Sequence, residues 1–112
     1  MNLPVLSGFR LMWMMVLFDL PVGTKKERKA AARFRKFLLD RGFEMSQFSV
    51  YLRFCAGKEQ AETHTRHVER NVPRTGRVHI VFFTDKQYEN IVCFDGRKRE
   101  RERRNPEQFL LL

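Results

Sequence analysis

The residue of this chain with the clearest chemical potential is Asp19, which directly follows the uncharged run from Leu11 to Phe18 and precedes Leu20 and Pro21. An acid at the end of a buried strand can bind a hard cation, which neutralises charge on a phosphodiester under attack and acidifies a bound water. One carboxylate is too few for a good Mg²⁺ site. A twofold axis close to Asp19 would supply a second carboxylate from another copy. The alternative is that Asp19 is a turn residue that accepts hydrogen bonds from backbone amides.

The histidines offer a second possible metal site. His64 and His67 form an HxxH pair in a predicted helix, and the i, i+3 spacing could chelate a metal. No glutamate lies between them as in zinc proteases, and His64 falls on the apolar stripe between Ala61 and Val68, so the pattern favours a structural role. His79 alternates with apolar residues and is expected to point outward from a strand. No Ser-His-Asp set and no phosphate-binding glycine loop can be argued.

Basic residues are concentrated in two segments of a chain with a formal net charge of +9. The segment from Lys25 to Arg41 has eight basic residues against two acidic ones, and Arg97 to Arg104 has six against two. Such segregation favours binding to a polyanion, most simply nucleic acid, although a solvated surface is the alternative. The candidate nucleic-acid-binding residues are Lys25, Arg28, Lys29, Arg33, Arg35, Lys36, Arg97, Lys98 and Arg99.

The two cysteines and the N-terminal apolar run limit the cellular location. Cys55 and Cys93 show no metal-binding spacing and lie in apolar, strand-like stretches, which predicts reduced core residues in a cytosolic protein. The run from Leu11 to Phe18 is too short to span a bilayer. Because a basic leader and a small-residue cleavage site are also missing, no signal peptide and no membrane association are expected.

Strands and helices are predicted to alternate around this chemistry. Thr24 and Glu27 form a capping box at the start of a helix that Gly42 ends. The segment from Phe43 to Cys55 predicts either two strands joined near Ser46 and Gln47 or one strand with a bulge. The other predicted elements are a strand at Leu11–Phe18, a helix from Lys58 to about Val72, a strand at Arg77–Thr84, a polar connection at Asp85–Asn90 and a strand at Ile91–Phe94. This order predicts an α+β sandwich with both helices on one face of the sheet.

The chain divides by composition into a core and a tail. Residues 1–96 predict one domain that includes an irregular leader at 1–10, and residues 97–112 form a basic spacer followed by the apolar end from Phe109 to Leu112. That end predicts either a frayed terminus or a short strand that docks on a sheet edge. The length of the charged spacer lets that edge belong to another subunit.

Several motifs in a fixed order resemble those of one protein family. They are Val16-Leu17-Phe18-Asp19-Leu20-Pro21, Glu27-Arg28-Lys29, Phe34-Arg35-Lys36-Phe37-Leu38-Leu39, Gly42-Phe43, Gln47-Phe48-Ser49-Val50-Tyr51 and Thr84-Asp85-Lys86-Gln87-Tyr88. Together, from about Met12 to Phe94, they resemble the small CRISPR-associated adaptation nucleases of the Cas2 family, especially the type II branch. The leader and the run from Arg97 to Arg104 are not covered by this resemblance.

The resemblance implies a ferredoxin-like βαββαβ fold in a tight homodimer, with a C-terminal strand added to the partner's sheet. It implies that Asp19 of both protomers is catalytic and faces a shared divalent cation, Mg²⁺ or another such as Mn²⁺. It also implies a metal-dependent endonuclease of RNA or double-stranded DNA.

A second role is implied for the family, in antiviral defence. It is a scaffold in CRISPR spacer acquisition that holds a double-stranded DNA spacer precursor between two dimers of the Cas1 integrase, in the prokaryotic cytoplasm. The basic helix would then matter more than catalysis. A non-catalytic scaffold and a toxin-like ribonuclease on the same fold stay open as alternatives.

Overall fold

A computed structural model describes residues 12–96 of the chain. The elements are β1 (Met12–Asp19), α1 (Lys25–Asp40), β2 (Glu44–Gln47), β3 (Val50–Cys55), α2 (Lys58–Asn71), β4 (Arg77–Thr84) and α3 (Asp85–Glu89). The predicted α+β class and the βαββαβ order are confirmed by this arrangement, with α3 as a short addition. The leader at 1–10 and the tail at 97–112, with Arg97, Lys98 and Arg99, lie outside the described residues.

The four strands form one antiparallel sheet in the order β2-β3-β1-β4. Along β1, residues alternate between buried and half-buried positions, since successive side chains of a strand point to opposite faces. Met12, Met14, Val16 and Phe18 belong to the core that α1 and α2 cover. We call the other sheet face, which carries Trp13 and the remaining odd-numbered residues of β1, the open face.

Local sequence signals account for the ends of α1. The Thr24 hydroxyl accepts a hydrogen bond from the Glu27 amide at 3.1 Å, and the Glu27 carboxylate accepts one from the Thr24 amide at 2.8 Å. The predicted capping box is therefore present. At the other end, Arg41 caps the helix and Gly42 has a φ of +83°. Between these ends, Ala31, Phe34 and Leu38 are buried against the sheet.

The segment from Phe43 to Cys55 forms two strands, as in the first of the two predicted alternatives. The turn lies at Phe48 and Ser49 rather than near Ser46 and Gln47. The register shifts between Met45 and Gln47, so β2 also has an irregularity of the kind that the bulge alternative required.

The predictions that residues 91–94 form a strand and that Cys93 lies in the core are wrong. Within the described part of the chain this segment forms no strand, and Ile91, Val92 and Phe94 are exposed. Cys93 is exposed as well, whereas Cys55 is buried as predicted, and both are free thiols. A segment rich in β-formers becomes a strand only when a sheet edge is available for its backbone hydrogen bonds. No helix between residues 12 and 96 is long and apolar enough to cross a membrane.

Candidate functional site

Asp19 is the last residue of β1 and is exposed. Side chains alternate between the two faces of β1, and Asp19 lies on the same face as Trp13, Met15 and Leu17. This is the open face, not the core face that the helices cover. Within residues 12–96 its carboxylate forms no hydrogen bond or ion pair. The carboxylate oxygens are therefore accessible to an external ligand.

The backbone around Asp19 is fixed by contacts from two other parts of the chain. The amide of Phe18 donates to the carbonyl of Ser49 at 3.1 Å, which ties the end of β1 to the β2–β3 turn. On the other side, Arg28 Nη1 donates to the carbonyls of Val22 at 3.0 Å and Gly23 at 3.3 Å. The loop that follows Asp19 is thus held against the first turns of α1.

The start of β4 forms the remaining side of the site. Asp19 is directly opposite Arg77 in the antiparallel pairing of β1 with β4, and both residues are exposed. Gly76 precedes Arg77 with a φ of +96°. A Cβ atom at Gly76 would lie 2.8 Å from the Asp19 carbonyl oxygen and 2.7 Å from Leu20 Cδ2. The close approach of β4 to the end of β1 therefore depends on glycine at this position.

The described residues supply too few ligands for a metal ion at Asp19. Among the described residues, no group of three or more His, Cys, Asp or Glu side chains could hold a metal ion. The accessible carboxylate of Asp19 has the hard oxygen ligands that Mg²⁺ and Mn²⁺ prefer. Asp19 therefore fits as one ligand of a divalent cation, and such a site would need further ligands from outside the described residues.

The predicted basic residues of α1 fall into two groups. Lys25, Lys29 and Lys36 are exposed, and Lys36 forms a surface ion pair with Asp40 at 3.2 Å. Arg33 is exposed beside a cleft of about 570 Å³ that α1 forms with the end of α2 and the residues after it. Lys25, Lys29 and Arg33 also line one shallow depression together. Lys25, Lys29 and Arg33 are therefore exposed to solvent where a phosphate could reach them, whereas Lys36 already pairs with Asp40.

Arg28 and Arg35 make contacts within the protein instead. Arg28 holds the loop after Asp19, as described above. The Arg35 side chain donates from Nε to the Phe48 carbonyl at 3.3 Å and places Cζ 3.8 Å from the Phe48 ring centroid. Its Cζ also lies 5.4 Å from the ring centroid of Phe18, so Arg35 connects α1 to the β2–β3 turn. The sequence grouped both arginines with the candidate nucleic-acid-binding residues and could not reveal these contacts.

The histidine pair occupies a positively charged environment. The Nδ1 atoms of His64 and His67 are buried and have no hydrogen-bond partner among the described residues. Burial lowers the pKa of His64, and the nearby charges of Arg53, His67 and Arg41 lower it further. The pKa of His67 is lowered by desolvation and by Arg41, Arg70 and Arg66. Neighbouring arginines oppose cation binding, which agrees with a structural role for this pair.

Comparison with known sequences decides the family. A sequence model described as "CRISPR associated protein Cas2" matches residues 12–91. The chain belongs to the CRISPR-associated Cas2 family. The resemblance seen in the sequence motifs is thereby confirmed, and the matched range includes Asp19, α1, Gly76 and Arg77.

Individual relatives support the same assignment. A Paracidovorax avenae protein named "CRISPR-associated endoribonuclease Cas2" is 59% identical over 105 residues, which cover 94% of this chain and 97% of that one. A Flavobacterium psychrophilum protein of the same name is 48% identical over 83% of this chain and 81% of its own length. A solved structure described as "Crystal structure of cas2" has a TM-score of 0.54 and 24% identity, and covers 76% of this chain and 88% of that one. It supports the fold alone.

Proposed function

We propose that this Cas2-family protein is a metal-dependent endoribonuclease that acts as a homodimer, with Asp19 of each protomer holding a shared divalent cation. The observation that carries the proposal is the carboxylate of Asp19, which is exposed at the end of β1 and has no partner within residues 12–96. The names of the Cas2 relatives, which describe endoribonucleases, agree with it. Asp19 is the proposed catalytic residue and metal ligand.

The open face supports the proposed dimer. This face carries apolar side chains from the three longer strands: Trp13, Met15, Leu17, Val50, Leu52, Phe54, Val81 and Phe83. Val81 is 47% exposed and Phe54 is 39% exposed. A contiguous apolar face of this kind marks a protein interface. Because Asp19 lies on the same face, a twofold axis through the interface near the end of β1 would bring two Asp19 carboxylates together.

Residues 91–94 support strand exchange in the same dimer. Their side chains are apolar, β-forming and exposed within one chain. Pairing of this segment, or of the predicted strand beyond residue 97, with an edge of the partner's sheet would satisfy its backbone hydrogen bonds and cover these side chains.

The protein's own groups have distinct roles in the proposed reaction. A divalent cation, when bound, would polarise a phosphoryl oxygen and acidify the attacking water. Asp19 provides the carboxylate oxygens that fix the cation. Arg28 holds the loop that follows Asp19, and Gly76 lets β4 approach the Asp19 carbonyl and Leu20 closely. Lys25 and Lys29 provide exposed positive charge for the flanking phosphates.

The test compares two substitutions that each remove one carboxylate charge. Asp19→Asn should lower the rate of RNA cleavage in Mg²⁺ at least about 100-fold, since it removes the proposed metal ligand. Asp40→Asn removes a surface carboxylate that pairs only with Lys36 among the described residues, and should cleave within about twofold of wild type. If Asp19→Asn cleaves as fast as wild type, the proposed function is wrong.

A second candidate function is a scaffold that binds duplex DNA during spacer acquisition, in complex with the Cas1 integrase. The exposed basic residues of α1 favour it, because they lie outside the Asp19 site and are repeated in a dimer. Duplex affinity should fall steeply with salt and ignore sequence. A variant with Lys25, Lys29 and Lys36 replaced by glutamine should bind duplex DNA more weakly and co-purify less DNA with the integrase. Asp19→Asn should retain both the duplex affinity and the co-purified DNA. RNA cleavage without duplex binding would favour the toxin-like ribonuclease instead.

A further inference from the structure

Arg77 is the basic residue that the sheet places nearest to Asp19. The two residues are directly opposite each other in the β1–β4 register and therefore share the open face. Side chains of such a cross-strand pair begin about 4.5–5.5 Å apart at their Cβ atoms. The charge segregation of the sequence does not single out Arg77, because it lies outside both basic segments.

Arg77 and Asp19 are opposite in charge but do not pair. Within the described residues no ion pair and no hydrogen bond joins them, and neither has another polar partner. An exposed ion pair on a strand surface contributes little stability in any case. The guanidinium of Arg77 is therefore available to a third group that approaches Asp19.

The backbone fixes the position of Arg77. Gly76 lies so close to the Asp19 carbonyl and to Leu20 that only glycine fits, and this contact sets the point at which β4 begins beside β1. An arginine in this position presents a planar set of donors that matches the oxygens of a phosphate. The neighbouring carboxylate is the ligand proposed for the cation.

We propose that Arg77 binds the phosphate group of the RNA backbone at the Asp19 site. This inference rests on the proposed function, because it takes the Asp19 carboxylate as the metal ligand. The positive charge of Arg77 opposes the cation on Asp19 until a phosphate occupies the site. Arg77 therefore couples RNA binding to cation binding. Replacement of Arg77 weakens RNA binding and strengthens cation binding.

The experiment uses the full-length protein and two arginine variants with the same change in net charge. Arg77→Gln removes the proposed phosphate ligand, and Arg66→Gln removes an exposed arginine of α2, the helix on the opposite face of the sheet. Binding of a short fluorescein-labelled single-stranded RNA is measured in EDTA, so that no cleavage occurs. We expect Arg77→Gln to weaken binding about fivefold to tenfold and Arg66→Gln less than twofold. Arg77→Lys should recover part of the affinity, since it restores the charge without the planar donors.

The second readout is Mn²⁺ affinity without RNA, measured by electron paramagnetic resonance. Arg77→Gln should tighten Mn²⁺ binding about twofold to fivefold, the size expected from one screened charge several ångströms from the ion. Arg66→Gln should leave it unchanged, and Asp19→Asn should abolish it. A third measurement, kcat/KM for RNA cleavage, should fall for Arg77→Gln and recover in part for Arg77→Lys.

The outcomes separate this inference from the proposed function. Equal RNA affinity of Arg77→Gln and Arg66→Gln, with Mn²⁺ affinity unchanged, overturns the inference even when Asp19→Asn is inactive. Loss of thermal stability in Arg77→Gln with neither binding constant changed also overturns it, since Arg77 would then be a structural partner of Asp19. Wild-type cleavage by Asp19→Asn overturns the proposed function, while the RNA measurement in EDTA still decides whether Arg77 contacts phosphate.

Discussion

Replacement of Gly76 by alanine should destabilise the protein and displace Asp19. The φ of +96° is a conformation that a residue with a Cβ rarely adopts, and it costs about 1–2 kcal/mol. The new Cβ would also lie 2.7 Å from Leu20 Cδ2, 2.8 Å from the Asp19 carbonyl oxygen and 3.0 Å from Leu20 Cα. Two of these neighbours are backbone atoms, so relief requires a backbone shift, which costs roughly 1–3 kcal/mol more. The free energy of unfolding should therefore fall by about 2–5 kcal/mol.

Equilibrium unfolding in urea at one fixed protein concentration measures this loss. The midpoint should fall, and the melting temperature should drop by at least about 8 °C for a domain of this size. Gly96→Ala is the matched control, since a Cβ at Gly96 would meet no atom of the described residues within 4 Å, and its stability should change by less than about 0.5 kcal/mol. In the folded fraction of Gly76→Ala, RNA cleavage and Mn²⁺ binding should both weaken, because the strained contact includes the backbone of Asp19.

Equal unfolding midpoints for Gly76→Ala and Gly96→Ala would refute this reasoning. They would mean that β4 does not approach the end of β1 as closely as described. A destabilised Gly76→Ala variant with unchanged Mn²⁺ affinity would confirm the contact but not its role in positioning Asp19.

Three further predictions concern other parts of the molecule. Thr24→Ala should lower the unfolding free energy by about 1 kcal/mol in urea titrations because it removes the N-cap of α1, whereas Thr24→Ser should change it little. Since the pKa values of His64 and His67 are lowered in the folded state, the unfolded chain binds more protons, and the unfolding free energy should fall as the pH drops below about 6.5. This pH dependence should be weaker in a variant with both histidines replaced by glutamine. If the unfolding free energy of that variant changes with pH as steeply as that of the wild type, the histidines are not the cause. Removal of residues 106–112 should loosen the proposed dimer, and an unchanged sedimentation profile at low micromolar concentration would argue against strand exchange.

Features encoded by neighbouring residues were predictable from the sequence. The capping box of α1 depends on Thr24 and Glu27, three positions apart, and the end of the helix depends on the adjacent Gly42. The bounds of β4, Arg77–Thr84, likewise follow from a local pattern. In contrast, β1 is apolar from Met12 to Phe18, so its sequence does not show that one of its two faces is left open. Asp19 could be predicted as a functional residue because it directly follows an apolar run, a pattern that is visible within a few neighbouring residues.

Features that depend on distant pairing were not predictable. The register that places Arg77 opposite Asp19 joins two strands separated by α1, β2, β3 and α2, and no local pattern encodes it. The β2–β3 turn lies at Phe48, where Arg35 of α1 contacts both the ring and the carbonyl oxygen. Residues 91–94 have a strand-like composition but lack a paired edge within the described chain. For Arg77 and for the β2–β3 turn, the deciding partner lies far away in sequence.

The position of the single tryptophan gives the open face a spectroscopic reporter. Trp13 stacks on Tyr88 at 3.9 Å between ring centroids, and its indole nitrogen donates to Asp85 at 2.9 Å. It shares the open face with Asp19 but lies at the opposite end of β1, about 20 Å away at the rise of a strand. Its fluorescence emission should therefore report whether a second copy covers this face, without a label and away from the proposed metal and RNA site. Assembly and chemistry can thus be followed in one sample by two independent signals.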